Sequence, residues 1–422
     1  MKKILILYSK AGGGHLSLAK AMEETLNQLR IKNQSFDSAQ DRELRIKLCD
    51  PFPRIYGSAY KRFGANFQEI WGRNYHLTDR PEAARALHTL NYLIVGPRLV
   101  KLFEDEKPDL IISNYPFATS EVGKAVTEAF TRRPLKELRE RVKIIIHLAD
   151  PFSLHRLWFT YKEADLYLSA TVECSRQAVE NGIPFDRIKT VGWLAREEFR
   201  RVPPRQSSTL RTSTVSLVEP LGLEEQAGRY DQKSLRGSLG LNPTKFTLFL
   251  GGSGMGGGRI WEMVKQILNS ELLTLNSQLI VVTGNNRQLL SKLVRLSEDF
   301  PGLFYLFPYV NNMPQLLSAS DIVVGKAGPN LLFESIFMER PFLATGCLPG
   351  QEEGNLEFIR RENIGWVEED LEKAVKLIEE LSDGTDGRIK IEEKKTNLRR
   401  IKAQHTDAHK LIAREIENLL LG

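Results

Sequence analysis

A chain of 422 residues with 41% hydrophobic and 27% charged residues has the length of two domains and the composition of an ordinary globular protein. A net charge of +6 is mildly basic; it suits an anionic ligand or an anionic membrane surface without selecting either. Cys49, Cys174 and Cys347 are widely spaced and form no C-x-x-C pair, which excludes a zinc knuckle or a disulfide framework and leaves a reducing cytosol as the default. The apolar run Ile4 to Tyr8 is too short for a signal-peptide core, and no later run approaches the ~18 apolar residues of a membrane span, so any membrane contact is expected to be peripheral.

In chain order, Lys3 to Ser9 reads as a parallel strand buried on both faces. It runs into the block Gly12-Gly13-Gly14-His15 and then a helix over Leu16 to Leu29 with apolar residues at helical spacing. A strand, a glycine turn and a helix open a Rossmann-like unit. The block is not a G-x-G-x-x-G fingerprint, and no acidic residue stands at the end of a clear second strand. The glycines either admit a ligand or permit tight strand–helix packing, with His15 as a helix cap. Leu48 to Phe103 is the least regular stretch. Its aromatics, among them Phe52, Tyr60, Trp71, Tyr75 and Tyr92, alternate with Arg54, Lys61, Arg73, Arg85, Arg98 and Lys101. That mixture suits a membrane interface, nucleic acid, or a helical insertion with an aromatic core.

Asp109 to Ser113 and Arg141 to Leu148 are further strands, ending in Asn114-Tyr115 and Ala149-Asp150. Ligands of open α/β sheets bind beyond the carboxyl ends of strands, so His15, Tyr115 and Asp150 are expected along one pocket edge. Asp150 there either accepts a proton from an attacking hydroxyl or caps the turn before Pro151. His15 either does the same or offsets negative charge. A short strand at Leu166 to Ser169, a helix over Thr171 to Asn181 stopping at Gly182, and a strand at Ile188 to Val191 complete this half.

Arg200 to Ser238 is rich in Pro, Ser, Thr, Arg and Gly and reads as a mobile linker or surface loop. Phe246 to Leu250 is a strand leading into a second glycine-rich turn, Gly251 to Gly258, and a helix over Arg259 to Leu268. Two such units, one per half, call for two facing Rossmann-like domains. No Gly-Lys-Ser/Thr follows, which excludes a P-loop. Strands are expected at Gln278 to Thr283, Phe304 to Pro308, Asp321 to Val324 and Pro341 to Ala344. Between the last two, small residues lead into a helix over Pro329 to Glu339, a start suited to binding phosphate through free amides. Glu334 lies within that helix, and Gln351, Glu352 and Asn355 lie on the loop after the last strand. Helices over Glu369 to Leu381 and Ile391 to Leu421 finish the chain. No Asp-x-Asp metal motif stands near the glycine loops, so neither metal nor cofactor is expected.

This layout resembles the GT-B glycosyltransferases of family 28, in particular the monogalactosyldiacylglycerol synthases and bacterial diacylglycerol glucosyltransferases. The resemblance spans nearly the whole chain apart from the linker. It rests most specifically on Pro349-Gly350-Gln351-Glu352 with Asn355, on the stretch Gly325 to Asn330 with Glu334, and on Gly12 to His15. It implies an α/β GT-B fold of two Rossmann-like domains facing a central cleft. An acceptor domain would span 1–199 with a lipid-facing insertion at about 50–103. A linker would follow at 200–240, a nucleotide-sugar domain at 241–390 and a helix returning to the first domain at 391–422.

On that resemblance Gly13, Gly14, Tyr115, His155 and Trp158 bind the acceptor, and Asp150 or His15 deprotonates it. Family members often carry a histidine where Tyr115 stands. Gly252, Ser253 and Gly254 close over the diphosphate, and Val310 and Met313 read the uracil. Ala327, Gly328, Pro329 and Asn330 hold the diphosphate and Glu334 the ribose. Pro349, Gly350, Gln351, Glu352 and Asn355 contact sugar and phosphate. The implied activity is inverting transfer of a hexose from a UDP-hexose to a lipid acceptor, diacylglycerol, at the inner, cytoplasmic face of the cell membrane, with an anionic surface as partner. A polyprenyl-linked or other acceptor is the alternative within the fold. A non-catalytic nucleotide- or nucleic-acid-binding protein is the alternative outside it, disfavoured because it leaves two glycine loops idle.

Overall fold

The computed structural model describes residues 2–10, 13–33, 44–53, 68–131, 142–200, 232–252, 259–270 and 276–421. The chain divides into two compact units. The first holds Met1–Glu197, Pro349–Gln351 and Gln404–Gly422, and the second holds Glu198–Leu348 and Glu352–Ala403.

The first unit is built on six strands: β1 (Lys2–Leu7), β2 (Leu44–Cys49), β3 (Leu110–Ser113), β4 (Lys143–Leu148), β5 (Leu166–Ser169) and β6 (Ile188–Thr190). They lie in the order β2-β1-β3-β4-β5-β6. Every pairing is parallel, with Ile4 opposite both Ile46 and Leu110. β3 and β5 are buried at every position, as expected for strands covered on both faces. The second unit carries β7 (Phe246–Gly251), β8 (Ser277–Val282), β9 (Phe304–Phe307), β10 (Ile322–Gly325), β11 (Phe342–Ala344) and β12 (Gly365–Val367). Their order is β12-β11-β10-β7-β8-β9, again all parallel. Its core joins Leu248, Leu250, Leu279, Val281, Ile322 and Val324 to the inward faces of the helices Ile260–Leu268 and Leu371–Ser382.

Each sheet has one place where successive strands leave in opposite directions. In the first unit it lies between β1 and β3, and in the second between β7 and β10. Open α/β sheets bind ligands at that point, beyond the carboxyl ends of the strands.

The fold departs from the sequence reading in four places. A second strand does exist, and Asp50 follows it directly. β2 is an edge strand whose alternating half-buried and exposed residues disguise it as a polar segment. Asp50 spends its carboxylate locally, accepting from the Phe52 amide at 3.1 Å. The stretch 68–106 is regular: helices Gln68–Thr78 and Pro81–Glu106, the second with Pro at its first turn and 26 residues long. The expected linker already contains a helix, Gln232–Ser238, anchored by buried Arg236, which bonds Asp321 at 2.7 Å and three carbonyls; residues 201–231 lie outside the described set. The terminal helix is two helices, Gly384–His405 and Ala408–Leu421, and only the residues from Gln404 onward group with the first unit. His405 Nδ1 accepts from the Trp193 amide at 3.0 Å, and the neighbouring Gly192 has φ +90° with His405 Cα only 3.2 Å from where a Cβ would stand.

Candidate active site

At the first unit's switch point the chain leaves β1 through Tyr8 and Ser9 and enters the helix Gly14–Asn33 after Gly13. Gly13 has φ +79° with open space where a Cβ would be, so the backbone conformation, not crowding, requires glycine there. His15 stands in the first helical turn. Its ring packs edge-on against Tyr115, with centroids 4.8 Å apart, and lies 6.5 Å from Trp158. Tyr115 rests in turn on Phe52 at 4.8 Å. Asp150, just past β4, is buried; its Oδ2 accepts the Trp158 indole N–H at 2.8 Å. Gln351, which groups with this unit, donates to Asp150 Oδ1 at 3.3 Å. His15, Tyr115, Asp150 and Trp158 thus form one chain of contacts.

Burial pulls the His15 imidazole down to about 4, opposed by the Asn114 main-chain carbonyl, so its ring is neutral near pH 7. Asn114 and His147 were not foreseen. His147 Nδ1 and Asn114 Oδ1 are 3.0 Å apart, and His147 is also pulled down to about 4 by burial and then by His15. The available signal was a single histidine inside an otherwise apolar strand, Lys143–Leu148.

Two expected acceptor residues have other work. His155 caps the 3-10 turn Arg156–Phe159, its Nδ1 accepting from Leu157 N at 3.1 Å while Nε2 lies 3.1 Å from Thr78 Oγ1. Both ring nitrogens are engaged within the fold. Trp158 has no exposed surface, and its indole N–H is committed to Asp150.

At the second unit's switch point Leu250, Gly251, Arg259, Ile260, Met263, Val324, Gly325, Lys326 and Thr345 line a pocket. A Cβ on Gly325 would lie 2.2 Å from the Gly251 carbonyl oxygen, so only glycine lets the two strand ends approach this closely. The turn after β10 is braced on both sides. Ala327 N donates to Gly346 O at 2.8 Å, and Asn355 Nδ2 donates to Ala327 O at 2.7 Å. The helix Pro329–Phe337 then starts with Gly328 at its cap, Pro329 in its first turn and no side-chain cap. Among the described residues the Asn330 and Leu331 amides have no acceptor, and they sit at the positive end of the helix dipole. Glu334 is half-buried one turn further on.

Lys326 is the cation that the sequence reading passed over. Its ammonium bonds both carboxylate oxygens of buried Glu352, which also accepts from Leu348 N at 2.6 Å. Glu352 and Asn355 therefore hold the pocket's shape. Gly350, at φ +79°, turns the loop between Leu348 and Glu352. Val310 and Met313 flank the start of the helix Met313–Ala319 and are half-buried. Ser253 and Gly254 lie outside the described residues; Gly252 follows β7 directly.

Two parallel six-stranded α/β sheets, each with one switch point, are the architecture of the GT-B fold, and this chain has that fold. Solved structures agree on the fold. An Os79 variant from O. sativa in complex with UDP matches with a TM-score of 0.61 at 14% identity, covering 99% of this chain and 100% of that one. Anabaena HepE in complex with UDP and glucose matches with a TM-score of 0.52 at 15% identity over 100% of both chains.

Residues 15–193 match the family model of monogalactosyldiacylglycerol (MGDG) synthase, and residues 247–412 match the glycosyltransferase family 28 C-terminal domain. The chain thus joins a first half like that of the MGDG synthases to a glycosyltransferase family 28 C-terminal domain, and it is a glycosyltransferase. It is 24% identical to a processive diacylglycerol beta-glucosyltransferase of Staphylococcus carnosus, over 90% of this chain and 85% of the relative. It is also 24% identical to a probable chloroplastic monogalactosyldiacylglycerol synthase of Nicotiana tabacum, over 89% of this chain and 64% of the relative.

Proposed function

We propose that the protein transfers a hexose from a UDP-hexose to the free hydroxyl of a diacylglycerol-type lipid, with inversion at the anomeric carbon, at an anionic membrane surface. The observation that carries the donor half is the second unit's switch point: a pocket lined by Gly251, Gly325 and Lys326, where only glycine lets the strand ends meet, followed in the chain by a helix start with two unpartnered amides. A departing diphosphate gains negative charge, and fixed N–H dipoles at a helix start stabilise it without reorganising. Glu334, one turn along the same helix, takes the ribose hydroxyls.

For the acceptor half, the hydroxyl approaches His15. A new bond forms between the hydroxyl oxygen and the anomeric carbon as the carbon–oxygen bond to UDP breaks. The hydroxyl proton passes to the neutral His15 ring, which is half-exposed, whereas Asp150 is buried and holds two hydrogen bonds. Asp150, fixed through Trp158, supplies the counter-charge for the imidazolium as it forms.

Support for the membrane lies on the helix Pro81–Glu106. Leu90, Leu93, Ile94 and Pro97 fall at helical spacing on an exposed face, with Leu93 72% exposed, and Arg85, Arg98 and Lys101 are exposed along the same helix. An apolar stripe with basic neighbours suits an interfacial helix on anionic lipid. Among the described residues no helix is long and apolar enough to cross a membrane.

Thermal-shift titration with UDP, NAD and single-stranded RNA tests the donor class; UDP alone should raise Tm. Radiolabelled sugar transfer onto diacylglycerol, polyprenyl-linked and small-molecule acceptors then tests the acceptor. Transfer to a polyprenyl-linked lipid in preference to diacylglycerol would overturn the acceptor assignment.

A further inference from the structure

Beside the first unit's switch point lies a buried polar cluster that the chemistry above does not use. His88, on the helix Pro81–Glu106, and Glu121, on the helix Ser120–Thr131, are both essentially without exposed surface. His88 Nδ1 lies 2.8 Å from both Glu121 oxygens, and Asn91 Nδ2 donates to Glu121 Oε1 and to the Phe117 carbonyl. The other ring nitrogen, Nε2, is 3.1 Å from the Leu157 main-chain oxygen. A carbonyl only accepts, so Nε2 carries a proton and donates it, while Nδ1 faces the Glu121 carboxyl group.

Burying such a pair is costly, and apolar residues would pack two helices at least as stably. What apolar residues cannot do is grip one particular carbonyl. Leu157 O accepts from His88 and also from Thr119 Oγ1 at 2.9 Å. The next residue is Trp158, whose indole N–H holds Asp150 and whose ring lies beside His15. One peptide unit therefore separates the target of His88 from the side chain that touches both proposed reaction groups.

We propose that His88, oriented by Glu121 and Asn91, is a positioning residue: by fixing the Leu157 carbonyl it sets the angle of the turn Arg156–Phe159 and so places Trp158, Asp150 and the face presented to His15. The proposal rests on the acceptor-site reading for its catalytic consequence, but its structural half is independent of any substrate.

The test separates the two hydrogen bonds of His88. A glutamine amide nitrogen reaches the position of Nε2, and an asparagine amide nitrogen reaches that of Nδ1. Both substitutions are made in a Glu121→Gln background so that no buried carboxylate is stranded, with Glu121→Gln alone as the control. The first readout is the 15N-indole resonance of Trp158 in the full-length protein, assigned through Trp158→Phe. His88→Gln should leave that resonance where the control has it, and His88→Asn should move it. The second readout is steady-state transfer. His88→Gln should retain kcat within about threefold of the control, whereas His88→Asn should lower it at least ~10-fold with the KM for UDP-hexose unchanged. An unmoved indole resonance in His88→Asn, or equal losses in both variants tracking Tm, would overturn the proposal. If the parent protein itself transfers no sugar to any lipid acceptor, a moved resonance in His88→Asn would leave the positioning role standing and sink the acceptor-site reading instead.

Discussion

The two switch points solve opposite electrostatic problems with the same topology. The second unit's is made of main chain: glycines that let strand ends meet, a helix start with open amides, and a lysine held by a buried glutamate. The first unit's is made of side chains: a histidine, a tyrosine and a tryptophan in contact, with two histidines kept neutral by burial. Fixed dipoles suit a ligand that arrives charged and leaves with more charge. A largely apolar wall with a neutral histidine suits a hydroxyl that arrives neutral and gives up a proton. The difference teaches that a family-level layout of two similar halves does not make the halves interchangeable, because what fills each sheet's crevice sets the chemistry.

The sharpest way to break this comparison is to disable one side and read the other. His15→Asn should lower kcat about 100- to 10,000-fold while leaving the UDP dissociation constant unchanged, checked by single-turnover transfer beside UDP calorimetry. Loss of UDP binding in that variant would mean the two crevices are not separate in role. Next, Gly325→Ala puts a methyl 2.2 Å from the Gly251 oxygen. It should lower Tm by several degrees and weaken UDP binding at least ~10-fold, since the strand ends must part. Glu334→Ala should weaken UDP about 10-fold with Tm unchanged; equal affinity in variant and parent would remove the ribose role.

The neutral histidines give a pH test. Buried His147 and His405 are both held at about 4, below the usual 6.5, so the unfolded chain takes up protons first as pH falls. Their contribution is complete above pH 6.5 and is lost progressively toward pH 4, on the order of 3 kcal/mol each. Urea denaturation from pH 7.5 to 4.5 should show that decline, and His405→Gln should flatten it; a pH-independent midpoint would contradict the burial argument. The smallest effect is at the surface. Leu93→Glu should reduce sedimentation with anionic vesicles about 10-fold and leave UDP binding untouched.

Much of this was legible in the residues. Apolar runs gave β1, β4, β7 and β10, and glycine blocks after β1 and β7 marked the two crevices. β2 escaped because an edge strand needs only one apolar face, and its charged positions mimic a loop. The helix Pro81–Glu106 was read only as one alternative, a helical insertion, because leucines and isoleucine on its exposed face blur the helical period. Roles were harder to read than positions. Glu352 and Asn355 carry the residue types of ligand contacts, yet their partners are Lys326, Leu348 and Ala327. Trp158 has the chemistry of a stacking platform, but a fully buried indole holds its neighbour instead. Lys326, His147 and the pair His88–Glu121 gain meaning only from contacts distant in sequence, which no local pattern encodes.

The most direct test is photolabelling with 5-azido-UDP followed by peptide mapping. Label displaced by UDP should fall in 304–355, on peptides containing Val310, Met313 or the helix Pro329–Phe337. Displaceable label confined to the peptides carrying His15, Tyr115 or Asp150 would contradict the assignment of the nucleotide to the second unit.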